Sequence, residues 1–125
     1  MEHSIRTWVK ANDSWDVTHH KENGGDGYLH DVEKDFKNFP TRILAEQYAF
    51  RLFKRLYFKG NHVKLESPES FGKETETGGC WGSFSGDRWL IRLDEKGNLF
   101  FWSSPACADD KSKVPKWILA ELETL

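Results

Sequence analysis

Two cysteines, four prolines and one methionine are all that this chain holds of those residue types. Cys80 and Cys107 are too few for the disulfide framework of a small secreted domain, so a reduced, cytoplasmic setting is expected. No stretch approaches the roughly 20 apolar residues of a membrane-spanning helix. The N-terminal segment also lacks the apolar centre of a secretory signal. A soluble protein with no membrane contact is the expectation. Charge of one sign is lacking too: the formal net charge is −2 over 125 residues, which excludes a uniformly basic nucleic-acid binder.

Motifs that carry chemistry are equally scarce. Neither a Cys-x-x-Cys pair nor a His-Glu-x-x-His helix is present, and His19 and His20 are adjacent, so a strand would point them to opposite faces. No metal and no cofactor is therefore expected. Gly24-Gly25-Asp26-Gly27 precedes a strand-like segment, not the helix N-terminus of a phosphate cradle, and reads as a turn. Asp31, Glu33 and Asp35 alternate as on a solvated strand face, and Glu74 and Glu76 fall in a loop, so no acid–base pair stands out. Gly78-Gly79-Cys80-Trp81-Gly82 resembles, over five residues, the nucleophile segment of papain-like proteases. It lacks that segment's upstream Gln and second Cys, and all five histidines precede Cys80. A cysteine-dependent enzyme at Cys80 is thus the remotest of three readings, because no partner is evident to lower the thiol pKa.

What the chain does have is aromatic bulk: six Trp, nine Phe and three Tyr, or 14% of its residues. Each buried ring removes roughly 150–250 Å² from water, so a few of them anchor a core for one domain spanning residues 1–125. Charge is unevenly spread. Residues 41–64 carry six bases against Glu46 alone, whereas residues 65–79 are acidic.

Periodicity supplies the elements. Strands are expected at Ser4 to Lys10, Trp15 to His20 and Tyr28 to Val32, from two-residue alternation around a Gly-rich turn. A helix is expected from Thr41 to Lys59, with Thr41 as N-cap, Gly60 as stop, and Ala45, Tyr48, Ala49, Leu52, Phe53 and Leu56 as its apolar face. Phe50 and Tyr57 are placed on its flank or exposed side. A strand follows at Asn61 to Glu66, then a mobile acidic loop at 67–79 and a short strand at Cys80 to Phe84. Arg88 to Leu93 and Asn98 to Trp102 form a hairpin across Asp94-Glu95-Lys96-Gly97, a type I turn with a G1 bulge. Pro115 opens a C-terminal helix with Trp117, Ile118, Leu122 and Leu125 as its apolar side. The expected architecture is α+β, an antiparallel sheet of about five strands with one long central helix and a short C-terminal helix packed on it.

Function is expected to be binding: a non-enzymatic protein-interaction module, such as an inhibitor or accessory subunit. Arg and Trp dominate interface energies, which singles out Arg88, Arg92 and Trp102 with Phe100 on the hairpin, and Arg51 and Arg55 on the helix. The C-terminal helix is expected to cover the hairpin face. The alternative is a nucleic-acid-binding helix using Arg51, Lys54, Arg55 and Lys59 among nearby aromatics.

Overall fold

The computed structural model describes residues 2–9, 13–22, 29–31, 37–67, 89–103, 107–108 and 110–125. Cys80, Arg88, the strand expected at Cys80 to Phe84 and nearly all of the acidic loop expected at 67–79 lie outside them. The elements run β1 (Glu2–Val9), β2 (Trp15–Glu22), β3 (Leu29–Asp31), β4 (Lys37–Phe39), α1 (Arg42–Phe58), β5 (His62–Glu66), β6 (Trp89–Leu93), β7 (Leu99–Ser103), β8 (Cys107–Ala108) and α2 (Lys116–Leu122).

The fold is α+β, as expected, but the sheet is mixed and has eight strand segments, in the order β3-β2-β1-β5-β6-β7-β8. β3 and β4 share one edge of β2, pairing with residues 20–22 and 15–17 of that strand. Every pairing is antiparallel except β1 with β5, which is parallel and aligns Glu2 with His62 and Ile5 with Leu65. The cause is the length of α1. Its 17 residues span about 25 Å, enough to carry the chain back along the sheet. β5 therefore starts again in the direction of β1 and pairs beside it.

One face of the sheet is apolar because alternate residues meet in register. Ile5, Val17, Val63, Leu65, Trp89, Ile91 and Leu93 are buried on it, and α1 covers them with Ala45, Ala49, Leu52, Phe53 and Leu56. Thr41 caps α1 as expected, its hydroxyl accepting from Leu44 N at 3.3 Å. Gly60 ends it at φ +94°, with its N–H donated to Tyr57 O at 2.8 Å.

Two expectations about the helices are corrected. Phe50 is buried, not flanking or exposed, because Trp117 of α2 meets its ring edge-on at 5.5 Å. Also, α2 lies on the same side of the sheet as α1. Ile118 and Leu122 join the core, while Leu125 is left exposed. Trp117 Nε1 donates to Glu46 Oε1 at 3.3 Å, and Lys54 Nζ stands 3.5 Å from Glu121 Oε2. The second helix thus does not cover the Leu90, Arg92, Phe100 and Trp102 face.

The β6–β7 hairpin forms as its turn residues require. Asp94 O accepts from Gly97 N at 3.0 Å, and Asp94 N donates to Asn98 O at 3.1 Å. The Asp94 carboxylate also accepts from the Asn98 and Lys96 amides, which hold its pKa below the usual carboxylate range. Gly97 sits at φ +89°, and a Cβ there would lie 3.3 Å from Tyr57 Oη. Gly97→Ala should cost about 1–2 kcal/mol, since a left-handed backbone strains any side chain. Urea unfolding of the pair of proteins measures this, and an unchanged midpoint would contradict the turn geometry.

Candidate interaction surface

Two surfaces stand away from the core, one on each side of the molecule. The first is the outer face of the sheet. Strand register lines up His20, Ser4, Lys64, Arg92 and Phe100 in one row. The neighbouring row carries Thr18 beside Arg6, and Glu66, Leu90 and Trp102. Most of its charge is paired. Arg6 Nε lies 2.6 Å from Glu66 Oε2, and Glu2 Oε2 takes both Arg92 Nε at 2.8 Å and His62 Nε2 at 3.1 Å. These contacts knit β1, β5 and β6 across their outer side. They also engage Arg92, one of the residues expected to contact a partner. Phe100 is about half exposed at the corner of this face, and Trp102 is partly buried.

The second surface is the outer side of α1. At 100° per residue, Leu44, Gln47, Arg51, Lys54, Arg55 and Phe58 fall within one arc opposite the core residues. Arg51, Arg55 and Lys59 are exposed and Lys54 is half-buried. Of the five large apolar side chains exposed among the described residues, three belong to α1: Ile43, Leu44 and Phe58, the last at 67% exposure. The helix contains one acid, Glu46, which is turned inward to Trp117; burial pushes its pKa up, partly offset by Arg42 and the Trp117 hydrogen bond. The outer side of α1 is therefore cationic without an acid of its own. Arg51 and Lys59 make no ion pair among the described residues.

The candidate binding residues lie on two separate faces. Arg92, Phe100 and Trp102 share the sheet's outer face, whereas Arg51 and Arg55, with Lys54 and Lys59, lie on α1 across the core. Ile43 and Leu44 were missing from the sequence-derived candidates. The seven-residue spacing of Leu44, Arg51 and Phe58 is the signal that marks Leu44, because it keeps all three on one stripe.

A third cluster is internal. His3 and His19 are both buried on the helix-facing side of β1 and β2. His3 Nδ1 and His19 Nε2 share a hydrogen bond at 2.7 Å. The two residues sit diagonally, two positions apart in the register of neighbouring strands, which the sequence separation conceals. Burial, then the charges of His19 and Lys21, hold the His3 pKa below its ordinary value, and a hydrogen bond to Asn61 opposes them. Among the described residues no group of three His, Cys, Asp or Glu side chains converges as a metal site.

No protein-family model matches this chain, and no curated protein or solved structure does either. No helix of the described residues is long and apolar enough to cross a membrane.

Proposed function

We propose that this chain is a non-enzymatic protein-interaction module, a small binder, inhibitor or accessory subunit, that engages its partner through the outer side of α1. The observation that carries this reading is the placement of exposed apolar side chains beside basic side chains on one helix. Ile43, Leu44 and Phe58 flank Arg51, Lys54, Arg55 and Lys59. Exposed apolar side chains gain most by burial against another protein, and arginines among them supply directional, charged contacts. Arg92, Phe100 and Trp102 offer a smaller second contact on the far side, weakened by the engagement of Arg92 with Glu2. The two-cysteine composition favours a reducing, cytoplasmic setting for this work.

Charge reversal tests the reading. Tagged wild-type chain should retain a stoichiometric protein partner from a lysate of its source cells. The R51E/R55E double variant should lose it by about tenfold or more, since removing hot-spot arginines costs upward of about 2 kcal/mol. Both positions are exposed, so the variant should unfold at nearly the wild-type temperature. A partner retained equally by both proteins would remove α1 from the interface.

Nucleic-acid binding by Arg51, Lys54, Arg55 and Lys59 is the rival reading, supported by the same row of cations. It requires affinity that falls steeply with salt as phosphate counterions are released. A mobility shift with DNA or RNA at low salt, lost in R51E/R55E, would favour it over the protein partner.

A further inference from the structure

Independently of the interaction reading, we infer that the outer face of β1 and β5 holds the carboxylate of a small organic acid between Ser4 and Lys64. The acid's apolar body lies across β6 toward Phe100. Ser4 turns to this outer face because its neighbour Ile5 is buried in the core on the other side. It is the shortest side chain of its row, set in register between His20 on β2 and Lys64 on β5. Ser4 is fully buried, and its hydroxyl has no hydrogen-bond partner among the described residues. A buried hydroxyl left in that state is costly to the fold, and an acceptor brought to it recovers the loss.

The charged groups around Ser4 are engaged, with one exception. Arg6 lies against Glu66, and Arg92 against Glu2, which also takes His62. His20 is bonded to Thr18 Oγ1 at 2.7 Å. Lys64 makes no ion pair among the described residues. The surplus on this face is thus one positive charge, on the residue in register with the unpartnered hydroxyl. A single carboxylate answers both, accepting from Ser4 O–H and from the Lys64 ammonium. A dianionic phosphate would bring its second charge against Glu2 and Glu66. Lys64 is half-buried on a flexible four-carbon stem, so its ammonium can rise to admit the head group and close over it.

The same row sets the rest of the ligand. Arg92 and then Phe100 follow Lys64 on β6 and β7. At about 4.8 Å between strands, Phe100 lies about 10 Å from Lys64, with the aliphatic stem of Arg92 between them. Phe100 is about half exposed, and Leu90 and Trp102 stand partly buried in the next row. Apolar surface at one fixed reach from the ammonium fits an acid with an extended chain of about that length.

Octanoate is the probe, titrated into the isotope-labelled full chain and followed by amide shifts. Octan-1-ol, octyl phosphate and acetate are the controls. Octanoate should bind at least about tenfold tighter than any of the three, with shifts concentrated on β1, β5 and β7. Lys64→Gln should weaken it by about tenfold or more. Ser4→Ala should weaken it about fivefold, yet the free variant should melt no lower than wild type, because the hydroxyl removed is unsatisfied. Phe100→Ala should weaken octanoate about threefold and leave acetate unchanged. R51E/R55E, altered on the opposite side of the molecule, should bind octanoate as wild type does.

Octanol binding as tightly as octanoate would reduce the contact to apolar surface and overturn the inference. Tighter binding of octyl phosphate, full affinity in Ser4→Ala, or no octanoate binding at millimolar concentration would overturn it equally. Each of these results leaves the α1 reading standing, since a captured partner that depends on Arg51 and Arg55 is measured separately.

Discussion

Phe53→Ala should lower the stability of the fold by about 3–5 kcal/mol, and its melting temperature by on the order of 10–20 °C. The Phe53 side chain is fully buried where α1 meets the sheet, and it stacks with Phe50 at 5.8 Å. Removing the ring forfeits its transfer from water and leaves a cavity that the fixed spacing of helix and sheet cannot close. Domains of this size are stable by only about 5–15 kcal/mol, so one truncation should consume a large share. Because Phe50 shares its neighbours and is pinned by Trp117, Phe50→Ala should not add simply to it; sites in contact couple. Urea unfolding of the two single variants and the double measures both the cost and the coupling. A Phe53→Ala loss below about 1 kcal/mol would mean that α1 is not the lid of this core.

The second large effect belongs to the buried imidazoles. His19→Leu should destabilise the protein by about 1–3 kcal/mol, because it leaves His3 Nδ1 buried and unpaired. Replacing both His3 and His19 with leucine should cost less than the two single changes together, because neither end of their shared hydrogen bond is then left unpaired. The pair also sets a pH dependence. His3 titrates below its ordinary value in the folded chain, first through burial, then through His19 and Lys21. Below the ordinary histidine pKa of about 6.5, the unfolded chain therefore binds a proton that the folded chain resists. Stability should be level above neutrality and decline as pH falls from about 7 toward 5. The double leucine variant should decline less over the same interval. Chemical unfolding at pH 7.5 and pH 5.5 compares them, and parallel losses in both proteins would exonerate the histidines.

Local signals carried much of the architecture. Thr41 and Gly60 bound α1 because a cap and a stop are decided by neighbouring residues, and the turn at Asp94 to Gly97 is similarly self-contained. Strand faces in β5 and β6 follow from simple alternation. What escaped was everything set at a distance. The parallel pairing of β1 with β5 depends on how far α1 returns the chain, not on either strand's composition. Phe50 looks like a flank residue until Trp117 arrives from α2. Arg92 looks available until Glu2 meets it from β1, and His19 looks solvent-facing until His3 is placed one strand away. The candidate surface was half legible. The helix cations were visible as a cluster, whereas Ile43 and Leu44 gained meaning only once the core side of α1 was fixed. Arg88 and Cys80 fall outside the described residues.

The parallel neighbour of β1 has a consequence for how the chain acquires its shape. β1 can zip to β2 as soon as both exist, yet its other edge must wait for β5, whose contacts lie about 60 residues further along, a closure that costs entropy before it gains any contact. During synthesis the β1–β2 ribbon accordingly carries a bare seam that later becomes the middle of the sheet. An uncovered strand edge recruits other strands, so prompt formation of α1, the element that delivers β5 to that seam, separates productive folding from self-association of the newborn chain.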